Sequence, residues 1–389
     1  MKHKKLFALP ALALGVLVLC ATAYAQNSDQ GKGKDKLGPY RLLTTVTIPG
    51  GLVGFDISWV DSKKGRYYLA NRGNPAAVPP VGPNIPVIDT ERDEFLYEIP
   101  LSNAPNGVVA IHRTGNGEGE PGAGTLVVGT TPKAGETSKV FFIDLGHPFA
   151  PPFAVDTGGH VGCVPACRAD ELAYDPRDHV ILVANDRAQD LFVTFISTEN
   201  PPHVLGKIFY NGSTPGNPIS TGGIEQPVWD KKTRKFYLAI PHTAANANGE
   251  VDEIDPIAQK ITRIFPSSIF CTAGPAGLAL IPNQRLMTSC GDVLDVATGT
   301  VVTHVNGVAG DEIWFNSGDE RVYFGRNPAF VVDAETYQMI VGAGPNGPPI
   351  PAGPTHSIAA DSENNHIFIP VTGVGVRVYT DDQDNGHGH

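Results

Sequence analysis

The chain has 389 residues and a formal charge of −11, with 40 Asp and Glu against 29 Lys and Arg. That balance excludes a nucleic-acid backbone as partner, because phosphate binding depends on clustered cations. No apolar run beyond the N-terminus approaches the roughly 18 residues that a membrane span needs, so no membrane association is expected after the N-terminal segment is removed.

Residues 1–25 read as a signal peptide. Lys2, Lys4 and Lys5 precede an apolar run from Leu6 to Cys20, and Ala23-Tyr24-Ala25 offers the small-x-small pattern before a cut at Gln26. Leu19 stands where a lipoprotein signal carries a small residue, which argues against a lipid anchor on Cys20. Cleavage removes three lysines and no acid, so the mature chain is more acidic still, and its expected place is the periplasm or the medium. Residues 26–38 are polar and rich in Gly and Lys and are expected to be a disordered linker, as is the tail 381–389.

Residues 39–380 are expected to fold as one all-β domain. Seven segments lie over one another: GFDISWVDSKKGRYYLA, PNGVVAI, ADELAYDPRDHVILVA, IEQPVWDKKTRKFYLA, PAGLALIPNQRLMTS, GDEIWFNSGDERVYFG and THSIAADSENNHIFIP. Their strands are short, β-branched or aromatic, and bounded by turn residues. A repeat of roughly 40 to 50 residues with several short strands is the mark of a propeller blade, so a seven-bladed β-propeller is predicted. The C-terminal Gly375–Tyr379 reads as a third strand, and Tyr40–Val46 resembles the outer strand FLYEI of residues 95–99. The last blade is therefore expected to be closed by pairing of N- and C-terminal strands.

Four cysteines remain after cleavage, Cys163, Cys167, Cys271 and Cys290. An even number in an oxidising compartment predicts disulfides, with three pairings open.

Aligned on the turn after each first strand, the seven segments place Asp56, Asn106, Asp170, Glu225, Ala276, Asp311 and His356 in one column. Six of the seven can bind a metal. In a propeller the innermost strands line the channel, so these residues are expected to ring one mouth, where their carboxylates repel and raise one another's pKa. A divalent cation relieves that conflict: Ca2+ first by the oxygen-rich set, with Mn2+, Zn2+ or Mg2+ as alternatives. Turn capping is the competing role for the same residue types. The second strands return to the same mouth and bring Asn71-Arg72, Asn185-Asp186-Arg187, His242 and Arg326-Asn327. Arg72 and Arg187 are candidates to hold an anionic group of a small-molecule substrate, or else to pair with the ring acids.

The runs YYLANRGN and VIDTERDEFLYEIPLSNAPNGVVAI resemble the YVTN-type (YncE-like) propeller repeat, and HVILVANDR and VDEIDPIAQKITRI follow it more loosely. The mouth resembles that of SMP-30/gluconolactonase and paraoxonase-like propellers, in which acids and Asn from separate blades hold one axial Ca2+ or Zn2+. Those families mostly have six blades. The resemblance implies a metal-dependent hydrolase of a lactone or ester, with Glu225, Asn106, Asp170 and Asp311 in comparable parts, His356 or a spare carboxylate such as Glu225 as general base, and Arg72 or Arg187 on the substrate. Two alternatives stand beside it. One is a metal-dependent lyase on a carboxylate-bearing, sugar-like substrate; the other is a non-catalytic propeller that binds a ligand, or a protein partner through the Pro-rich loops Asn74–Pro86 and Gly344–Pro354.

Overall fold

The structure is a computed structural model that describes residues 40–112, 124–158, 168–186, 191–341 and 350–381. The expected signal peptide, the linker, Cys163, Cys167, Arg187 and residues 382–389 lie outside the described residues.

Burial along each repeat follows from position in a radial stack. Second strands such as Arg66–Asn71 and Val180–Asp186, and third strands such as Asn84–Asp89 and Phe192–Ser197, are buried almost throughout, because a sheet covers each of their faces. Fourth strands at the rim, such as Lys260–Pro266, alternate exposed residues with half-buried or buried ones. The described residues form seven four-stranded antiparallel sheets, each built from consecutive strands except the last. The innermost strands touch in sequence order, and Ala359–Ala360 of the last sheet touches Phe55–Asp61 of the first, which closes a seven-bladed propeller. Blades one to seven comprise residues 55–100, 105–156, 168–209, 227–266, 278–304, 313–341 and 359–380.

The hairpins explain why the repeat was visible. Five of the seven turns after the innermost strand open on Asp61, Asp175, Asp230, Asn316 or Asp361, and the residue four positions on has a left-handed backbone: Gly65, His179, Arg234, Glu320 and Asn365, at φ between 56° and 60°. The side chain at the head of the turn accepts backbone N–H groups that the turn leaves unpaired. Asp230 is fully buried and accepts from Lys232 N at 2.9 Å, Thr233 N at 3.2 Å and Thr233 Oγ1 at 2.8 Å. Asp230→Ala strands two of those donors and is expected to destabilise the fold by about 1–3 kcal/mol, read from the midpoint of urea unfolding. Asp230→Asn, which keeps one acceptor, is expected to lose less.

Closure of the ring joins the two ends of the chain. Arg41–Val46 pairs antiparallel with Gly375–Thr380, so the seventh blade takes its outer strand from the N-terminal side. Arg321 of the sixth blade binds both ends at once: its Nη1 donates to Tyr40 Oη at 2.9 Å and to Asp381 Oδ2 at 2.5 Å. Asp381, expected to begin the tail, is buried in that contact. Cys271 and Cys290 form a disulfide at the fifth blade, one of the pairings left open by the sequence.

Candidate functional site

The innermost strands of the first three blades share a local irregularity. Each slips register against its neighbour across the mouth positions, between Phe55 and Ser58, Pro105 and Val108, and Ala169 and Leu172. Such bulges re-aim side chains. Here they let consecutive residues, Asp170 and Glu171, both turn inward and become buried. Adjacent inner strands approach so closely that a Cβ at Gly107 would stand 1.9 Å from the Asp170 carbonyl oxygen, which only glycine permits.

The mouth holds two arginines in the middle of its acids. Arg168, two residues before Asp170, donates from Nε to Asp170 Oδ2 at 2.5 Å, and its Nη atoms lie 3.8 Å from Asp56 Oδ2 and 3.5 Å from Asp186 Oδ2. Arg72 donates to Asp56 Oδ2 and, at 2.9 Å, to Asn106 Oδ1. Asn106 in turn donates to Thr131 Oγ1 and to the Ala169 carbonyl, both at 3.1 Å. His356 stacks on Phe55 with ring centroids 4.9 Å apart, and its Nε2 lies 3.2 Å from Asp56 Oδ1. These contacts bring Asp56, Asn106, Asp170 and His356 of the column together, and they engage Arg72.

The carboxylates divide into two groups. Asp170, Asp186 and Glu225 each bring an oxygen to within 4.8 Å of the others. Asp170 is 2 % exposed, and its Oδ1 has no hydrogen-bond partner among the described residues. Deeper in the channel Glu171 and Glu312 are also buried; Glu312 accepts from Ser357 Oγ, whereas Glu171 Oε2 has no hydrogen-bond partner among the described residues. Asp311 stays exposed at the rim, and Ala276 uses only its backbone, donating to Ser289 Oγ at 3.0 Å.

Electrostatics separate Asp56 from the rest. Burial alone would raise its carboxyl, yet the His356 hydrogen bond and the charges of Arg72 and Arg168 hold it below the ordinary value. Burial pushes Asp170 well above that value, and Asp56 and Asp186 add to the shift against the pull of Arg168. Burial also raises Glu225, helped by Asp186, Asp170 and Asp311, and raises Glu171 and Glu312 in the deeper tier. The mouth thus carries more acid than its two arginines neutralise.

A carboxyl whose pKa is raised on folding favours the folded state at low pH. That contribution is fully present below the unfolded value of about 4 and is lost as pH rises through the folded value. Asp56 contributes in the opposite sense, holding stability above about 4, but it is one group against four. Metal-free protein is therefore expected to lose stability from about pH 5 upward, by about 1.4 kcal/mol per pH unit for each carboxyl still titrating. Thermal melts in chelator across that range check it, and a flat profile would show that Arg168 and Arg72 balance the mouth.

The other mouth-side residues are used locally. His242 Nδ1 donates to the Ala247 carbonyl at 2.6 Å, the Arg326 guanidinium lies 5.3 Å from the Phe330 ring centroid, and Asn185 is buried on Thr194. Residues that sequence reasoning missed are Arg168, Glu171 and Glu312, while Asp186 was expected at the mouth but not among the metal ligands. A signal for the deeper pair existed, since the position after the column reads Glu171, Gln226, Glu312 and Ser357 in four blades. A cavity of about 540 Å³ lies away from all of these, lined by Ser62, Lys63, Glu91 and Asp361 at the opposite ends of the strands.

No family model matches the chain, and no curated protein does. Solved structures do. One, from a crystal structure of a mitotic checkpoint complex, aligns over 96 % of this chain and 99 % of its own with a TM-score of 0.59 and 12 % identity. At that identity the likeness shows the propeller fold alone, and the YVTN-type and gluconolactonase resemblances stay with the motifs that suggested them.

Proposed function

We propose that the protein is an exported propeller that holds one divalent cation between Asp170, Asp186 and Glu225 and hydrolyses a lactone or ester at that mouth. The observation that carries this reading is the oxygen cluster of those three carboxylates, with Asp170 Oδ1 buried and without a hydrogen-bond partner among the described residues. Buried anionic oxygens of this kind need a cation or a proton, and an all-oxygen set suits Ca2+ ahead of softer metals. A cation there supplies Lewis acidity toward a carbonyl and toward water.

The chain's own residues supply the rest. His356 is 37 % exposed on its side chain and so can reach a substrate. Asp56 fixes its Nε2 and leaves Nδ1 as the atom that takes up a proton. Phe55 holds the imidazole plane by stacking. Arg168 sets the spacing of Asp56, Asp170 and Asp186. Because Arg72 is spent on Asp56 and Asn106, the reading favours a neutral carbonyl compound over an anionic one.

A second reading has its own observation: Arg168 already bridges three carboxylates, which suits a non-catalytic mouth without metal. Elemental analysis of the mature protein separates the two. The proposal expects about one equivalent of divalent metal at the mouth, lost in a folded Asp170→Asn, Glu225→Gln double variant, and lactone or ester hydrolysis that His356→Ala abolishes with metal retained. Metal content unaffected by the double variant, or no hydrolysis across a broad panel by metal-loaded protein, overturns it.

A further inference from the structure

Four loops border the mouth on the side of the first and seventh blades: residues 47–54, 73–83, 350–355 and 372–374. Each enters an innermost strand or leaves a second strand, so all four emerge at the mouth end. None of them carries a charged residue, in a chain with 40 acids and 29 Lys and Arg. The exposed positions are Gly, Pro, Ala and Val with two threonines. Val53 is 46 %, Val374 42 % and Val78 98 % exposed.

These loops form one joined surface. Asn74 Nδ2 donates to the Gly50 carbonyl at 2.7 Å, Gly373 N to the Leu52 carbonyl at 2.6 Å, and Thr372 N to the Pro354 carbonyl at 3.1 Å. A Cβ on Gly50 would stand 2.2 Å from Val81 Cγ2, so the first two loops are packed together as well. The surface runs directly into the site. Gly54 precedes Phe55, whose ring stacks on His356, and Thr355 precedes His356 itself. The carboxylates Asp170, Asp186 and Glu225 come instead from the third blade and the entry to the fourth. Single exposed apolar side chains are ordinary, but a joined, charge-free set beside a proposed base marks a surface that takes up apolar matter.

We infer that the substrate carries a hydrocarbon chain on its acyl or alcohol side, and that this chain lies on the charge-free sector, over Val53, Val374 and the loop 73–83. The inference rests on the hydrolase reading above and narrows its substrate to an aliphatic lactone or ester, as opposed to a sugar-like one. Water adds to the carbonyl carbon and the bond to the alkoxy oxygen breaks, giving a carboxylic acid and an alcohol. The chain takes no part in those bond changes, so its effect falls on binding and hence on KM.

Two series test it on the metal-loaded mature protein. In the first, 4-nitrophenyl esters from acetate to decanoate should show kcat/KM rising by roughly two- to fourfold per added methylene, the range expected for partial burial of each group. Val53→Asp and Val374→Asp should flatten that rise and leave acetate hydrolysis unchanged, whereas Ile257→Asp, equally exposed at the far end of the fourth blade, should leave the rise intact. The second series reads the chain without turnover: 2-alkanones keep the carbonyl and the chain but cannot be hydrolysed, and their Kd by calorimetry should fall in the same steps and flatten in the same variants. Esters hydrolysed with no dependence on chain length, or a dependence that survives both Val variants, overturns the inference and leaves the hydrolase standing. No ester hydrolysed but alkanones bound in the expected steps overturns the hydrolase and leaves the chain surface standing. Neither hydrolysis nor graded binding overturns both.

Discussion

Replacing Arg168 with methionine is expected to destabilise the metal-free protein by about 3–5 kcal/mol at neutral pH, the cost typical of removing one partner from a buried ion pair. Methionine preserves much of the stem's packing, so the loss reports the guanidinium. Without it, Asp56, Asp170 and Asp186 lose the charge they share, while Arg72 and His356 remain on Asp56. Loss of the guanidinium raises the folded-state pKa of Asp170 further and removes part of what holds Asp56 low, so the lost stability should return as pH falls and these carboxyls take up protons. It should also return on adding Ca2+, because the variant leaves the Asp170, Asp186 and Glu225 oxygens without their organic competitor. Urea unfolding near pH 5 and near pH 8, with and without Ca2+, reads all three effects. A variant as stable as the parent at both pH values would remove Arg168 from the account of the mouth.

Arg321→Ala is expected to cost a similar amount for a different reason. The guanidinium is buried with Asp381 and Asp319, and it carries the only hydrogen bonds named above that join residue 40 and residue 381 to one blade. Truncation leaves two buried carboxylates uncompensated and unties the outer strand of the seventh blade, a loss of about 3–5 kcal/mol. Because the damage is at the closing seam, hydrogen exchange should quicken first in Arg41–Val46 and Gly375–Thr380, with the third and fourth blades protected as before. Uniform loss of protection around the ring would show instead that closure and blade stability are one cooperative unit.

Much of the fold was legible because its hairpins reuse one device. An acid or Asn at the head of a turn and a left-handed residue four positions later recur in register with the buried second strand, so the repeat can be seen without any contact information. The mouth column was legible for the same reason, since a fixed turn fixes the residue at the other end of a short strand. Arg168 was not, because it lies outside the column and acts through the reach of its side chain. Glu171 was hidden by a register slip, which turns inward a residue that strict alternation places elsewhere. The engagement of Arg72 by Asp56 and Asn106 depends on rotamers that no spacing specifies, and the meeting of Tyr40 with Arg321 spans 281 positions of chain.

The pairing of Arg41–Val46 with Gly375–Thr380 also governs the order of assembly during synthesis. The first strand of the domain to leave the ribosome has no partner until nearly the last one is made. Until then it is an unpaired strand, open to mispairing with any exposed sheet edge. The six other blades are each made of neighbouring strands and can form locally. Ring closure is therefore the one long-range step in an otherwise local folding sequence, and the step at which folding is slowest. A circular permutant whose new ends fall between two complete blades would turn that step into a hairpin, and its folding should no longer wait for the end of the chain.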